Sequence, residues 1–567
     1  MKVNRILATA MLGAAMMFAY AADACTNFLF TKGATADGST MITYAADSHV
    51  LYGELYYRRA ANYAEGEKFM LVDWDSGRKL FEIPQVAHTY SVVGNMNEHQ
   101  LAIGETTYGG REDCWGGTGI DYGSLIYVTL QRAKNAREAI KTIAGLLKDY
   151  GYCSEGESFS ICDPNEVWIM ELIGKGKNSK GAVWVARRIP DGYVSGHANQ
   201  ARITTFPQEA QNAKKSYRYI SSKNLKYIDN PEVECVYSDD VITFARTNGW
   251  FTGKDADFSF ADTYCPLTFS GVRACDARVY AMFRRVNPGE MTQYEDYALG
   301  WNNAHRMPLW IKPDHKIDVR EAMSLMRDHY EGTKMDMTQD VGAGPFGCPY
   351  RWRPMGFEVD GKKYVHERAT STQQTGFSFV AQCRSWLPAK LGGILWFGVD
   401  DTYSTCYCPM YCGITIIPEC FKQGNGDMLT YSETAAFWLF NRVSNFVYSR
   451  YCDMIVDVQK VQDRLEGEFL AGVNAIDDAL KGVTDDKLLE EKLNEFSHNQ
   501  AQRMMDEWRQ LDRYLLVKYM DGNIKKEEKG EFKRSETGDV AFPDQPKYPE
   551  WFYKLIVKDH GDVIIEK

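Results

Sequence analysis

Residues 22–49 read ADACTNFLFTKGATADGSTMITYAADSH, with two β-rich runs on either side of the pair Asp37-Gly38. Aspartate followed by glycine between runs of β-branched and aromatic residues is a strong hairpin signal. The pattern predicts an antiparallel hairpin whose turn centres near residues 35–37. In that hairpin the cysteine at position 25 lies opposite residues 45–49, so the polar end of the second strand returns to Cys25.

The first 24 residues have the pattern of an export signal. Lys2 and Arg5 precede an apolar run over residues 6–20, and Ala22 and Ala24 fit the small-residue rule for cleavage. We therefore predict a signal peptide over 1–24 and a mature, exported protein in the periplasm or outside the cell. Its first residue is then Cys25.

Composition narrows the class of protein. The chain has 567 residues, 44% hydrophobic and 25% charged, which is typical of a globular protein with a large core. Its net charge of -11 argues against a nucleic-acid partner, which needs a basic surface. No segment after the leader is apolar for long enough to predict a membrane span, and the composition leaves a homo-oligomer open.

The order of predicted elements indicates an α+β fold. Further hairpins are expected near residues 89–109 and 166–190, a helix over 123–150, and another over 317–332 with Asp318 as its cap. From residue 431 the chain reads as long amphipathic helices. The predicted division is a catalytic domain at 25–430, a helical region packed on it at 431–525 and a C-terminal tail at 526–567.

The 14 cysteines do not form a usual metal motif. Cys406, Cys408 and Cys412 lie close together, but their spacing does not match the common zinc patterns. We expect packing or disulfide roles for them, and no metal or cofactor.

A cysteine at the N-terminus carries its own base. The ordinary pKa of a thiol is about 8.5 and that of an α-amino group about 7.7–8.0, so the amine can accept the thiol proton directly or through water. This is the logic of the N-terminal nucleophile. Asp47, at the returning end of the hairpin, is placed to hold an ammonium group, either that of Cys25 or that of a peptide substrate.

Several segments together resemble one family. The opening stretch resembles the start of the PepD-type (dipeptidase A) family of cysteine-dependent N-terminal nucleophile (Ntn) hydrolases. The resemblance covers most of residues 25–520 and continues in the following segments: GNMNEHQLAIGETTYGGR at 94–111, EVWIMELIGKG at 166–176, RRIPDGYVSGHANQARI at 187–203, FGVDD at 397–401 and YSTCY at 403–407.

The resemblance implies an αββα Ntn-hydrolase sandwich with a C-terminal helical extension. It also implies hydrolysis of dipeptides and short peptides through a thioester on Cys25, and it assigns residues to the site. These are Asp47 after the first hairpin, Asn199 in the oxyanion hole, a backbone N–H near Thr106 and Thr107, and Arg278 late in the domain. Many relatives carry an arginine where this chain has Tyr44, so either Tyr44 replaces that arginine beside the nucleophile or the substrate preference differs.

Two alternatives stay open. A hydrolase of the same fold could act on acyl amides of the bile-salt or penicillin V type. A substrate amine bound by Asp47 or Glu105 favours the dipeptidase instead. An alternative of another class is a lipid-anchored binding protein acylated at Cys25. Lipid-attachment signals usually have leucine three residues before the cysteine, and this chain has Ala22 there, which argues against this alternative.

Overall fold

The computed structural model describes residues 25–211 and 216–566, so the predicted signal peptide lies outside the described residues. The strands are, in chain order, β1 Asn27–Phe30, β2 Thr40–Asp47, β3 Tyr57–Arg58, β4 Ala61–Asn62, β5 Lys68–Val72, β6 Lys79–Pro84, β7 His88–Thr89, β8 Val92–Val93, β9 Met96–Asn97, β10 Ala102–Tyr108, β11 Gly156–Cys162, β12 Val167–Gly174, β13 Ala182–Arg188, β14 Val194–His197, β15 Tyr219–Ser221, β16 Cys235–Tyr237, β17 Trp310–Ile311, β18 Gly356–Val359, β19 Lys362–Val365, β20 Thr375–Cys383, β21 Gly393–Val399, β22 Cys408–Tyr411, β23 Glu527–Glu528 and β24 Glu531–Phe532.

The helices alternate with these strands and dominate the C-terminal part of the chain. They are α1 Tyr122–Leu130, α2 Ala136–Tyr150, α3 Val241–Thr247, α4 Phe260–Tyr264, α5 Ala277–Val286, α6 Pro288–Met291, α7 Glu295–Ala298, α8 Val319–Leu325, α9 Ala389–Gly392, α10 Ala436–Tyr448, α11 Tyr451–Leu480, α12 Asp486–Tyr519 and α13 Glu550–Ile564. Among the described residues, none of the helices has both the length and the apolar composition that a bilayer crossing requires.

Two large sheets form the centre of the molecule. The first has the strand order β17-β14-β1-β2-β20-β21-β22, and the second has the order β15-β16-β13-β12-β11-β10-β9-β8-β3. β1 and β2 of the first sheet pack against β10 and β11 of the second, and their facing side chains are buried. The α+β class predicted from the sequence is thus confirmed as a mixed α and β structure.

Helices cover the other faces of the two sheets. α2 lies against β11, β12 and β13, while α10, α11 and α12 lie against β21 and β22. The long helices of the C-terminal part therefore contact the first sheet directly. The proposed boundaries at residues 430 and 525 stay a prediction, because these contacts do not define where a domain ends.

The N-terminal hairpin has the register expected from its turn. Leu29 pairs with Ile42, and an isolated bridge joins Thr26 to Ala45. The other edge of β2 pairs antiparallel with β20, with a register irregularity between Ala46 and Asp47. Cys25 consequently lies at the end of a central strand, beside residues from both neighbouring strands.

Two predicted helices have different bounds in the structure. The helix expected over 123–150 is two helices, because Asn135 caps a new one by accepting a hydrogen bond from the Glu138 N–H at 2.9 Å. The helix expected over 317–332 ends at Leu325, although Asp318 caps it as predicted. Shortly afterwards Tyr330 adopts a φ of 65°, a left-handed conformation in which a right-handed helix cannot continue.

Candidate active site

Cys25 lies between two side chains that come from different sheets. Its Sγ is 3.7 Å from the Tyr44 hydroxyl on β2 and 3.6 Å from Glu105 Oε1 on β10. The backbone carbonyl of Cys25 accepts a hydrogen bond from Arg278 Nη1 at 2.6 Å. The cysteine is thus held through its main chain, while its thiol faces a phenol and a carboxyl group.

This environment keeps the thiol protonated. Desolvation raises the pKa of Cys25 well above its ordinary value, and the negative charges of Glu105 and Asp47 raise it further. The Asp47 backbone N–H and the Tyr44 hydroxyl act in the opposite direction but do not reverse the shift. Because only the thiolate is strongly nucleophilic, a base must take the proton when Cys25 reacts.

Glu105 is a buried carboxyl group with two neighbours that set its charge. The Tyr44 hydroxyl donates a hydrogen bond to Glu105 Oε1, and the carboxyl of Glu157 is a hydrogen-bonding neighbour on the adjacent strand. Two carboxyl groups can share a hydrogen bond only if one of them is protonated. Burial and the Glu105 charge raise the pKa of Glu157 well above its ordinary value, so Glu157 holds that proton.

Asn199 is fixed between Arg278 and the backbone of β10. Arg278 Nη2 donates to Asn199 Oδ1 at 2.9 Å, and Asn199 Nδ2 donates to the Thr107 carbonyl at 2.5 Å. In a β-strand the N–H and C=O of one residue point to the same edge. The Thr107 N–H therefore shares an edge with the carbonyl that Asn199 contacts, which makes Thr107, rather than Thr106, the backbone donor nearer to Asn199.

Asp47 forms a buried ion pair. Its Oδ2 accepts a hydrogen bond from Arg368 Nη2 at 2.5 Å, and its Oδ1 accepts one from Thr375 Oγ1 at 2.6 Å. Desolvation raises the pKa of Asp47, whereas Arg368 and Thr375 lower it. The carboxylate stands at the nucleophile's end of the sheet, as the hairpin predicted, but it already has a cationic partner.

The role predicted for Thr106 from the sequence is that of its backbone N–H, and its side chain contacts His197 on β14. Its Oγ1 lies 2.7 Å from His197 Nδ1, and Ser160 Oγ lies 2.7 Å from His197 Nε2. Burial, together with the Arg202 charge, lowers the pKa of His197 to about 3. The imidazole is thus neutral and occupied on both nitrogens, so it supports β10 and β14 and does not serve as a base.

The structure brings together most of the residues singled out in the sequence. Cys25, Tyr44, Glu105, Asn199 and Arg278 form one contact network, and Asp47 adjoins it through its backbone N–H. Arg278 follows a π-helical turn over Gly271–Asp276 at the start of α5, an irregularity frequent at functional sites.

Other site residues were not found by sequence reasoning. They are Glu157, Arg353, Arg368 and Thr375. Only Glu157 carried a local signal, as an acidic residue within the otherwise apolar and small run GESFSIC. Arg368 and Thr375 are separated from their partner Asp47 by more than 300 residues of chain.

Among the described residues, no cluster of three or more histidine, cysteine, aspartate or glutamate side chains could hold a metal ion. The cysteines of residues 25–566 are free thiols in this structure, and Cys406, Cys408 and Cys412 are buried. These three cysteines therefore pack in the core beside β22.

The sequence matches the model of Peptidase family C69 over residues 71–464. The match spans more than half of the chain, so this protein belongs to Peptidase family C69 and is a peptidase. Cys25, Tyr44 and Asp47 precede the matched segment, whereas Glu105, Asn199 and Arg278 lie within it.

Curated relatives are similar along most of their length. A protein of Streptococcus pyogenes serotype M1 named probable dipeptidase B is 21% identical over 520 residues, which cover 87% of this chain and 93% of the relative. A probable dipeptidase of Latilactobacillus sakei is 23% identical, covering 76% and 82%. A dipeptidase of Bifidobacterium longum is 21% identical, covering 74% and 76%. These names agree with the family resemblance read from the motifs.

Proposed function

We propose that this protein is an exported dipeptidase of the Ntn-hydrolase class, with Cys25 as its nucleophile once residues 1–24 have been removed. The observation that carries the proposal is the position of Cys25 at the end of a central strand, with Sγ 3.6 Å from the buried carboxyl of Glu105. The facing sheets covered by helices support an αββα sandwich, and the names of the curated relatives support the dipeptide substrate.

The first chemical step is attack of Cys25 Sγ on the scissile carbonyl carbon. The thiol is protonated in its resting environment, so its proton passes to the freed α-amine of the same residue, whose ordinary pKa of about 7.7–8.0 suits a base near neutral pH. The C–N bond then breaks, the proton goes to the departing amine, and the acyl group remains on sulfur as a thioester. Water hydrolyses the thioester and restores the thiol.

Charge on the carbonyl oxygen develops beside Asn199. Arg278 fixes Oδ1 of Asn199, so that Nδ2 is the donor end of the amide, and the Thr107 N–H lies on the neighbouring backbone edge. Two rigid donors of this kind lower the energy of a tetrahedral oxyanion, and each is worth about 10²–10³ in kcat in other hydrolases. The Nδ2 contact with the Thr107 carbonyl uses one of the two amide hydrogens and leaves the second for substrate.

Glu105 is the proposed receptor for the substrate α-ammonium. In a dipeptide this group is one carbon away from the scissile carbonyl, so it must lie close to Sγ during attack. Glu105 is anionic while Glu157 holds the shared proton, and its distance from Sγ fits that position. An acyl amide without an amine would leave this buried carboxylate unpaired, which disfavours the bile-salt or penicillin V type of substrate.

The test uses protein that begins at Cys25 and a panel of unmodified dipeptides. We expect hydrolysis that is unaffected by a chelator, abolished by Cys25→Ala and retained by Cys452→Ala, a matched change at an exposed cysteine. Intact mass after acid quenching detects the thioester. Equal activity of the Cys25→Ala variant, or a lipid on Cys25 in protein exported by its native route, contradicts the proposal.

A further inference from the structure

The charges of three arginine side chains act at the carboxylate of Asp47. Arg368 forms the ion pair with Asp47, and the charges of Arg278 and Arg353 also act on one another and on this pair. Glu367, next to Arg368 in sequence, is already paired with Arg273. The positive charges therefore exceed the negative ones around Asp47, an arrangement that is costly in a partly dry site unless an anion binds there.

Two of these arginines are almost completely buried and are bonded to the protein's own groups. Arg278 is fully buried and donates to backbone and side-chain oxygens of residues 25, 26, 198, 199 and 274. Arg368 is 3% exposed and donates to Asp47 and to the Ala369 carbonyl. Both hold the protein's own groups in place.

Arg353 differs in its exposure and in its bonds. It is partly exposed, and its guanidinium donates to the Gln374 side chain. Its Nε is buried without a hydrogen-bond partner, and no carboxylate of the described residues lies within ion-pair distance of it. Burial and the charge of Arg368 lower its pKa to about 10, so it is still cationic at pH 7.

Gln374 connects Arg353 to the catalytic end of the sheet. The residue after Gln374 is Thr375, whose hydroxyl binds Asp47, and the Gln374 carbonyl accepts a hydrogen bond from the Ser48 N–H at 3.1 Å. The charged groups that act on Arg353 are Arg368, Asp47 and Arg278, all of which belong to the site. Burial is the largest influence on the pKa of Cys25, and the groups that act on it besides are Glu105, Asp47 and Tyr44. Arg353 is not among them, so stabilising a thiolate is not its role.

We propose that the guanidinium of Arg353 binds the C-terminal carboxylate of the dipeptide substrate. This proposal rests on the proposed function, which it deepens by assigning the leaving-group side of the site. A guanidinium offers paired N–H donors that match a carboxylate, and the unpartnered Nε of Arg353 supplies one of them.

Glu105 and Arg353 then recognise opposite ends of one substrate. Two extended residues span at most about 7 Å, so only a dipeptide places an ammonium and a carboxylate on both sides of a single scissile bond at that spacing. A tripeptide moves one charge about 3.5 Å further away. Glu105 and Arg353 together therefore select substrates by their length and by their charged N- and C-termini, independently of the substrate side chains.

The test compares L-alanyl-L-alanine with L-alanyl-L-alaninamide, which lacks only the carboxylate charge. For the unaltered enzyme we expect the amide to have a KM about 10- to 100-fold higher with a similar kcat, as for loss of a charged hydrogen bond. Arg353→Gln should raise the KM of the free dipeptide by a similar factor and leave that of the amide almost unchanged. Arg353→Lys, which keeps the charge without the paired donors, should fall between.

The control is Arg534→Gln, which removes an exposed arginine from the C-terminal tail and should change neither KM. Thermal unfolding of each variant verifies that Arg353→Gln is folded. Equal losses on both substrates, or no loss on either, overturn the assignment of Arg353 while Cys25-dependent dipeptide hydrolysis stands. If the unaltered enzyme hydrolyses neither substrate, it is the dipeptidase function itself that fails.

Discussion

Arg278 Nη2 donates a hydrogen bond to Asn199 Oδ1 at 2.9 Å, and through its other nitrogen it also holds the carbonyl of Cys25 at 2.6 Å. One guanidinium therefore fixes both the nucleophile's backbone and the amide proposed as the oxyanion donor. Because Oδ1 is occupied, the Asn199 amide cannot turn its oxygen toward the substrate without losing this bond. The Asn199 Nδ2 donor is therefore already oriented before the substrate binds.

Substitution of Asn199 tests that donor. Asn199 has a φ of 58°, so alanine adds backbone strain of about 1–2 kcal/mol whereas glycine does not. We expect both Asn199→Ala and Asn199→Gly to lower kcat by about 10²–10³ with little change in KM. Both variants lose the hydrogen bonds to Arg278 and the Thr107 carbonyl, and the alanine variant should unfold at a lower urea concentration than the glycine variant. An active glycine variant contradicts the oxyanion role.

The Tyr44 hydroxyl should set the lower of two ionisations on the acid limb of the pH profile, the upper one being that of the Cys25 α-amine. It donates to Glu105, and this bond lowers the pKa of the carboxyl against the effect of burial. In Tyr44→Phe the pKa of Glu105 rises, so the carboxylate that binds the substrate ammonium is lost at a higher pH. The lower ionisation on the acid limb of kcat/KM should move to higher pH, while the ring contacts with Phe377 and Phe379 keep the fold.

Tyr52→Phe serves as the control for that profile. The Tyr52 hydroxyl donates to the Asn425 carbonyl, away from Glu105. Removal of the Tyr52 hydroxyl should leave the pH of the acid limb of kcat/KM unchanged. An unchanged profile in both variants means that Glu105 does not titrate in the substrate-binding step.

The Asp47–Arg368 pair should contribute strongly to stability. Both side chains are buried, and Asp47→Asn leaves the arginine without its counter-charge, which costs about 3–5 kcal/mol of unfolding free energy. Asp463→Asn removes the carboxylate of an exposed pair with Arg320 and should cost less than about 1 kcal/mol. Urea denaturation of the two variants measures the difference, and similar small losses contradict the structural role of Asp47.

The Glu157 carboxyl should make stability fall as pH rises. Its pKa in the folded protein is raised well above the ordinary value of about 4.3. The folded state therefore binds its proton more tightly than the unfolded state does. This contribution is complete below about pH 4 and is lost as pH increases through the folded-state pKa, by at most about 1.4 kcal/mol per pH unit.

In the unaltered protein the Thr107 hydroxyl donates a hydrogen bond to Glu157 Oε1 at 2.7 Å. Glu157→Gln removes the titration and keeps an acceptor for that hydroxyl. The drop in unfolding free energy between pH 5 and pH 8 should be smaller in the variant than in the unaltered protein. Equal slopes in the two proteins show that Glu157 is not protonated in the folded state.

The parts of the site that lie on one hairpin could be predicted from the sequence. Cys25, Tyr44 and Asp47 are joined by a short turn, so the alternation of the strands and the turn position were enough to bring them together. Asn199 and Arg278 came from the family resemblance, which supplied positions without contacts. Their link through a single guanidinium became visible only in three dimensions.

Arg353 and Arg368 were beyond the reach of sequence reasoning. They lie in a segment of loops and a small hairpin, where no periodic pattern predicts which side chain faces the site. The extents of α1, α2 and α8 were mispredicted for a related reason. An apolar pattern indicates a helix, but a capping asparagine or a left-handed residue decides where that helix stops.

The pairing of β2 with β20 has a consequence for how the protein matures. Thr375 and Asp47 are 328 residues apart in the chain, so the strand that completes the nucleophile's surroundings arrives after more than half of the polypeptide has been synthesised. Contacts of such long range form late, because a large loop must close before they contribute. A nascent or truncated chain that ends before β20 therefore lacks the Thr375–Asp47 bond and the β2–β20 pairing. The rate at which activity recovers during refolding measures how fast this loop closes.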